Sequence, residues 1–351
     1  MFIRKRLLLR SNATALILFV QVFIASGQTN ESSSPYDKLN SDKYLGDYEV
    51  ITRIQDEGIF TEGPAVDGEG NVYFTNIPVS KILKWDHLQK KLVVFRTNSN
   101  SANGLRFTMG GELLACEGQP ARLTKTNMNT GKVSILADQF EEKGLQALND
   151  LDFNSEGRIY FTSRSPDPDL EKANKRSVYR IDPDGSIHQL LSEPQVHMPN
   201  GITISPNGKV LYLIEAHSEK NHNRCILAFD LHEDGSISKR RVLYNFYPGR
   251  SGDGMSIDAE GNLYVAAGLH QRRGSSETLD TRPGIHVISP EGKLLAFRET
   301  PEDTITNCTF GGKDLKTLYV TCGSYLLSFR TKIPGKANYR PDSQTIKGTS
   351  D

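Results

Sequence analysis

The sequence predicts an all-β protein, folded as a six-bladed β-propeller. The first observation is a polar turn with a glycine that leads into a run rich in β-branched and aromatic residues, DGEGNVYFT at 67–75, as expected of a turn and the strand after it. The second is recurrence, since close copies stand at 154–162, 205–213 and 258–266 and looser ones at 108–115 and 311–320. The third is the spacing of the six copies, roughly 40 to 55 residues, which is typical of propeller blades.

Further strands are predicted between the glycine turns. Segments at 82–86, 122–126, 178–182, 226–230 and 285–289 alternate apolar and polar residues, and polar turns and short strands such as 132–136 follow them, in the manner of hairpins. Four strands per repeat make a blade, and six blades form a ring. We expect residues 48–53 to join the last blade and close it. A β-sandwich is the competing architecture, but it does not need six copies of one turn.

The amino terminus has the pattern of a Sec-type signal peptide at residues 1–27. A short segment with four basic residues and no acids precedes an apolar run of 13 residues, 13–25, and small residues follow it. A membrane anchor is the alternative, but the run is shorter than the ~20 residues that cross a bilayer. We therefore expect a periplasmic or secreted protein, cleaved near Gly27, that no longer associates with a membrane after cleavage.

Two polar segments flank the predicted domain. Residues 28–43 and 331–351 are poor in apolar residues, so we expect a disordered leader and a flexible tail. The folded propeller is then predicted to span 44–330. The sequence does not indicate an oligomeric state.

Composition places the chain among soluble globular proteins and excludes one class of partner. Hydrophobic residues make up 37% and charged residues 24%, both ordinary values. The 42 basic and 42 acidic residues balance, and removal of the four basic residues in 1–27 leaves 38 against 42, a net charge of −4. Because a nucleic-acid surface needs an excess of basic residues, we expect no nucleic-acid partner.

The four cysteines leave two possibilities open. They are Cys116, Cys225, Cys308 and Cys322. An exported chain can pair cysteines in disulfides, but unpaired thiols are also common in apolar strands. No CxxC spacing of a metal site is present.

Four polar side chains stand at one offset from the glycine turns. They are Glu62, Asn149, Asn200 and Asp253, each eight residues before the glycine of its turn. A constant offset means one position in four blades, so the symmetry of a propeller directs all four side chains toward the axis. Each alone is well explained as a turn residue, and a purely structural metal is a further alternative, but four at one offset favour a binding site.

The chemistry of these four residues predicts the kind of ligand. Two carboxylates and two amide oxygens suit Ca²⁺, or less tightly Mg²⁺ or Mn²⁺. No histidine or cysteine shares the offset, which argues against Zn²⁺ at this position.

In a propeller the inner strands line a central tunnel, and the loops at one end of it form the mouth where ligands bind. Other polar residues are candidates for binding substrate at this mouth. Asn103 stands eight residues before Gly111 and so shares the offset, while Glu117 and Arg122 lie in the second blade, which supplies no metal ligand. A Glu–Arg surface pair is the alternative for the last two. His197 and His217 are also expected near the mouth, although a lone histidine is more often structural.

The motifs around the four predicted ligands resemble those of a known family. Glu62-Gly-Pro, Asn149-Asp, Pro199-Asn200-Gly and Asp253-Gly-Met are similar to the calcium-site motifs of the gluconolactonase/regucalcin (senescence marker protein-like) family of six-bladed propellers. The stretch 115–138 resembles the bacterial gluconolactonase branch in particular.

This resemblance implies a calcium-dependent lactonase that opens a small-molecule sugar lactone such as gluconolactone. It implies that Glu62, Asn149, Asn200 and Asp253 ligate the metal and that Asp253 is the catalytic base or nucleophile. The chain departs from the pattern at Ala147, where regucalcin has a substrate-binding arginine. Two alternatives stay open: hydrolysis of another ester or an organophosphate on the same metal, and a non-catalytic propeller that binds calcium or carbohydrate.

Overall fold

The computed structural model describes residues 34–164 and 173–336 as a ring of antiparallel sheets. These residues contain no α-helix; one 3-10 turn, Ser41–Lys43, precedes the first strand, β1 (Leu45–Arg53). No helix among them is long and apolar enough to cross a membrane. The predicted signal peptide lies outside the described residues.

The first two blades each contain four strands, hydrogen-bonded in sequence order. They are β2 (Thr61–Val66), β3 (Val72–Asn76), β4 (Lys81–Asp86) and β5 (Lys91–Arg96), followed by β6 (Leu105–Phe107), β7 (Leu113–Gly118), β8 (Ala121–Thr126) and β9 (Val133–Ala137). A short hairpin of β10 (Gln139–Phe140) and β11 (Lys143–Gly144) leads into the third blade.

The next three blades repeat this order. The third comprises β12 (Leu148–Phe153), β13 (Ile159–Ser163), β14 (Ser177–Ile181) and β15 (Ile187–Ser192), and the fourth comprises β16 (Pro199–Ile204), β17 (Val210–Ala216), β18 (Arg224–Leu231) and β19 (Ile237–Asn245). The fifth comprises β20 (Gly252–Ile257), β21 (Leu263–Ala267), β22 (Gly284–Ile288) and β23 (Leu294–Glu299).

The sixth blade joins the two ends of the described chain. It contains β24 (Ile305–Gly311), β25 (Thr317–Cys322) and β26 (Tyr325–Thr331), and β1 is its outer strand, antiparallel to β26 with Tyr48 opposite Phe329. This pairing confirms the predicted closing role of 48–53. The first strands of the six blades, β2, β6, β12, β16, β20 and β24, contact one another in a closed circle around the axis. The predicted six-bladed propeller is therefore confirmed.

The glycine turns connect the inner strand of each blade to its second strand. The glycines of all six copies have φ between 71° and 90°, a region that residues with a Cβ seldom adopt. They are Gly70, Gly111, Gly157, Gly208, Gly261 and Gly312. The repeat found in the sequence is thus a backbone requirement.

The apolar core is divided into six clusters, one between each pair of neighbouring blades. Tyr73 of the first blade packs with Phe107 of the second, for example, and Leu211 of the fourth blade packs with Tyr160 of the third. All four cysteines are unpaired and buried, which settles the alternative in favour of thiols.

Both ends of the described chain pack on the propeller, so the folded part is longer than the predicted 44–330. The Tyr36 ring contacts Phe297, and the Ser41 hydroxyl donates to the Phe297 carbonyl at 2.9 Å. Part of the predicted leader, 34–43, is therefore ordered on the fifth blade. The rest of the leader lies outside the described residues.

The first residues of the predicted flexible tail, 332–336, are also ordered. They cross the end of the tunnel opposite the predicted mouth. Lys336 Nζ contacts Asp152 Oδ2 at 2.8 Å and donates to the Ile204 carbonyl at 3.0 Å. Burial opposes ionisation of Asp152, but the charges of Lys336 and Arg106 outweigh it and hold the Asp152 pKa below its usual value. This buried ion pair fixes the segment across the inner strands; the tail beyond it lies outside the described residues.

Candidate functional site

The four predicted ligands occupy one structural position in four blades. Glu62, Asn149, Asn200 and Asp253 are each the second residue of an inner strand, and each is at least 95% buried. All four inner strands begin at the same end of the tunnel, so the four side chains lie at the same mouth. Residues that share the offset in the sequence therefore occupy equivalent positions in their blades.

An irregularity in strand pairing accompanies each of these residues. In the first blade, the register between the inner strand and its neighbour shifts directly after the ligand position, between Glu62 and Ala65. In the other three blades the shift spans the ligand position, from the residue before it to the second residue after it. A β-bulge re-aims side chains relative to a regular strand. The bulge therefore explains how a strand inside a sheet presents its second residue to the axis.

Two of the four residues are in direct contact. The Asn200 side-chain amide donates to Asp253 Oδ1 at 2.6 Å. The other Asp253 oxygen accepts from Arg250 Nη2 at 2.5 Å, and Arg164 Nη1 lies 3.9 Å from Oδ1. Asp253 is thus held between an amide and two guanidinium groups.

The pKa of Glu62 is raised by burial and by neighbouring acids. Burial raises the Glu62 pKa well above its ordinary value, and the charges of Asp253 and Asp150 raise it further. The backbone N–H of Gly63 and the charge of Arg164 act in the opposite direction. Perturbed acids of this kind concentrate at functional sites.

Asp150 and Asn307 form the floor of the mouth. Asn307 Nδ2 donates to Asp150 Oδ2 at 3.2 Å, which joins the third and sixth blades across the axis. Burial raises the pKa of Asp150 to about 6. A Cβ at Gly104 would lie 2.7 Å from Asp150 Oδ1, and one at Gly254 would lie 2.0 Å from Asn307 Cγ. Gly104, which follows Asn103, and Gly254, which follows Asp253, therefore make room for these two side chains.

A cavity of about 360 Å³ opens at this mouth. Asn103, Asn149 and Arg164 line it, together with Ala147. The Asn103 position agrees with its predicted contact with substrate, which stays a prediction. Arg164, which directly follows β13, is the charged residue of this lining, and its Nη1 lies 3.9 Å from Asp253 Oδ1.

Glu117 and Arg122 belong to a buried network in the second blade. Glu117 is fully buried and accepts from Arg96 at 2.5 Å, Arg122 at 2.6 Å, Asn100 at 2.7 Å and Thr124 at 3.0 Å. Burial opposes its ionisation, but these donors hold its pKa below the usual value. Both oxygens are occupied, so the geometry favours a Glu–Arg pair over the predicted binding of substrate. The pair is not the expected surface pair, however, because Glu117 is fully buried.

Comparison with known proteins identifies the family. A family model described as the SMP-30/gluconolactonase/LRE-like region matches residues 60–324, which span all six inner strands. The chain belongs to this family.

Relatives in the family include two curated proteins and two solved structures. Gluconolactonase of Zymomonas mobilis is 25% identical over 303 residues, with 79% of this chain and 80% of that protein covered. Regucalcin of Xenopus laevis is 30% identical over 257 residues, with 72% and 79% covered.

The solved structures share the fold. A gluconolactonase from Xanthomonas campestris has a TM-score of 0.68 at 25% identity, with 82% of this chain and 91% of that chain covered. A calcium-binding protein named regucalcin, from Agrobacterium tumefaciens, has a TM-score of 0.64 at 19% identity, with 84% and 97% covered.

Sequence reasoning missed three residues that complete the site. Arg164, Arg250 and Asn307 contact the predicted ligands or their floor, but none stands at the shared offset. Arg164 and Arg250 lie just outside the strands that the repeat identifies. A test for charged residues at strand ends would have selected them, along with several residues that have no such role.

Proposed function

We propose that this chain is a metal-dependent hydrolase that opens sugar lactones, with Ca²⁺ held by Glu62, Asn149, Asn200 and Asp253. The observation that carries the proposal is the position of these four oxygen-bearing residues at equivalent places around one mouth. The names of the gluconolactonase relatives support the reaction class, and the calcium-binding regucalcin supports the ion.

The charges at the mouth fit a divalent cation. Burial and the charges of Asp253 and Asp150 make ionised Glu62 unfavourable, and a dication among these carboxylates would offset that repulsion. All the proposed protein ligands are oxygens, which suits Ca²⁺ and, with stricter geometry, Mg²⁺ or Mn²⁺. The donor set therefore fits the group that the resemblance implies.

One rearrangement is required for this ligand set. Asn200 now directs its amide nitrogen at Asp253, so the amide must turn to offer its oxygen to an ion. Arg250 can keep its bond to Asp253 Oδ2 and leave Oδ1 to the ion or the substrate. When bound, the cation stabilises negative charge on the lactone carbonyl oxygen and lowers the pKa of a bound water.

Side chains of the protein supply the other roles, which are proton transfer, positioning of the carboxylate and binding of the sugar. Arg250 fixes the plane of the Asp253 carboxylate, which is then placed to accept a proton from the attacking water; a well-placed base adds about 10²–10⁴-fold to the rate. Asn103 and Arg164, on the cavity wall, are placed to bind the hydroxyl groups of a sugar. The Asp150–Asn307 floor closes the tunnel beneath.

Hydrolysis of a panel of lactones and aryl esters, with and without a chelator, tests the proposal. We expect gluconolactone to be opened in the presence of Ca²⁺, the rate to fall on chelation, and added Ca²⁺ to restore it. Aryl ester or organophosphate turnover without lactone turnover would assign another ester to the same site. No turnover of any substrate by the calcium-bound protein would indicate a binding propeller.

The variant Asp253→Asn tests the role of the carboxylate. We expect it to lose most lactonase activity, on the order of 10²-fold or more for a lost base, while circular dichroism shows a retained fold. Asp184→Asn is the matched control, because Asp184 lies in an exposed turn, where its carboxylate accepts hydrogen bonds from Ser186. Wild-type turnover in Asp253→Asn would contradict the catalytic assignment.

A further inference from the structure

The loop between β17 and β18 gathers two histidines and a glutamate at the mouth end of the fourth blade. One ligand atom each from His217, Glu219 and His222 lies within 4.8 Å of the others. His217 is buried, His222 is half-buried and Glu219 is exposed. These residues lie outside the set on the axis, and their chemistry differs from it because two of the three donors are nitrogens.

The histidine rings of this loop pack against one another. The His217 and His222 rings stack with centroids 3.9 Å apart and planes at 17°, and the His197 ring meets the His222 ring edge-on at 5.1 Å. The packing therefore brings the ring nitrogens of two histidines close to each other, and imidazole nitrogen is the commonest side-chain ligand of metals.

The backbone that carries these ligands is fixed from beneath. Arg224 is fully buried and donates to the carbonyls of His217 at 2.8 Å, Ser218 at 2.7 Å and Glu219 at 3.1 Å. Its Nη1 also donates to the Pro248 carbonyl at 2.7 Å. A loop held at three successive carbonyls is preorganised, so binding an ion there costs little further ordering of the backbone.

We propose that His217, Glu219 and His222 form a second metal site, for a borderline divalent cation of the Zn²⁺ type. Two histidines, one carboxylate and a water are a usual ligand set for such an ion. Ligand atoms around tetrahedral zinc lie roughly 3.4 Å apart, given bonds of about 2.0–2.1 Å. The three side chains must therefore close by about 1 Å, and the stacked rings must tilt so that both nitrogens face one point.

Metal binding exchanges one weak hydrogen bond for three coordinate bonds to the protein. His217 Nδ1 now accepts the backbone N–H of Glu219 at 3.2 Å. A metal-bound neutral imidazole has no second lone pair, so this contact is lost whichever nitrogen binds the ion. Because the contact is long, its loss is a small cost.

An ion in this position would link the two ends of the loop. His217 follows β17 directly, and His222 stands two residues before β18. The loop also contacts the fifth blade, since the Ser276 hydroxyl donates to the Ser218 carbonyl at 2.9 Å. We expect the ion to stiffen this part of the mouth wall, independently of the site on the axis.

Calorimetric titration of the untagged full-length chain with ZnCl₂, in the presence of saturating Ca²⁺, tests the proposal. We expect the wild type to bind one equivalent of zinc, and His222→Ala to bind it on the order of 100-fold more weakly, since loss of even an outer partner of a ligand costs about 10–100-fold. His222 is half-buried, so this variant should fold even if His217→Ala does not.

Two controls make the outcome decisive. Asp253→Asn should keep the zinc site, which separates it from the site on the axis and from the proposed lactonase activity. His87→Ala, at an exposed position, should bind zinc as the wild type does. Absence of zinc binding by the wild type, or unchanged affinity in His222→Ala, would overturn the proposal and leave the rings as a packed cluster only.

Discussion

Buried acids on the axis oppose the stability of the fold. Burial raises the pKa values of Glu62 and Asp150, and the charge of Asp253 adds to the effect on Glu62. A group that is harder to ionise in the folded state destabilises that state at neutral pH. Such a cost is expected at a site where binding a cation, rather than stability, determines which residues are retained.

His286 provides a pH test at a single residue away from the site. It is fully buried in β22, its Nε2 lies 3.0 Å from the Tyr36 hydroxyl, and burial lowers its pKa from 6.5 to about 4. The unfolded chain therefore binds a proton on His286 at a higher pH than the folded chain does. Stability from this residue is present above pH ~6.5 and is lost as the pH falls toward ~4, by up to about 3 kcal/mol.

The change His286→Phe should remove this pH dependence. We expect the free energy of unfolding, measured with urea, to fall less steeply between about pH 6.5 and 4 than in the wild type, because the unfolded chain no longer gains that proton. His87→Phe is the control for loss of an exposed imidazole. An identical slope in His286→Phe and the wild type would show that His286 is protonated in the folded protein.

Among the elements, β1 is the one on which ring closure depends. Leu45 is fully buried in the cluster between the fifth and sixth blades, whereas Val50 on the same strand is 52% exposed. We expect Leu45→Ala to lower the free energy of unfolding by about 2–5 kcal/mol. Val50→Ala should stay within about 0.5 kcal/mol of the wild type, as measured by urea denaturation. Equal, small effects for both would mean that β1 is not an integral part of the sixth blade.

The inner strands show which part of the site the sequence could predict. Glu62, Asn149, Asn200 and Asp253 were found because a repeat fixes both the turn glycine and the residue eight positions before it. The irregular strand pairing at each of them was not predicted, since register depends on pairing between strands. Arg164 and Arg250 were missed for a related reason, because residues just outside the strands do not share the repeat.

Glu117 shows the limit of residue type as evidence. An acid and an arginine five residues apart suggested binding of sugar hydroxyls, yet both Glu117 oxygens are occupied by donors from its own blade and its neighbour's edge. The number of neighbouring donors is a property of the folded blade, and no local pattern records it. The same holds for Asp150, whose partner Asn307 comes from the opposite blade.

For the whole molecule, the ring of blades was predictable from the sequence, but the ordering of the flanking chain segments was not. Six copies of one turn predicted six blades, and the expectation that residues 48–53 join the last blade was confirmed. Residues 34–43 and 332–336 are polar in composition, which suggested disorder, but they satisfy their polar groups on the propeller: Ser41 bonds to Phe297, and Lys336 to Asp152. Composition indicates how much apolar surface a segment can bury by itself. It does not show which polar partners the folded propeller provides for that segment.

Calcium at the mouth is the feature on which the proposed function depends, and thermal unfolding with and without Ca²⁺ tests it most directly. A ligand that binds only the folded state stabilises it by about 2.7 kcal/mol at 100 times its Kd. We expect Ca²⁺ to raise the Tm of the wild type by a few degrees, and to do the same for the control Glu57→Gln, whose side chain is exposed. Glu62→Gln should show little increase at the same Ca²⁺ concentration. An equal rise in Glu62→Gln, or no rise in the wild type, would contradict a cation held at the axis.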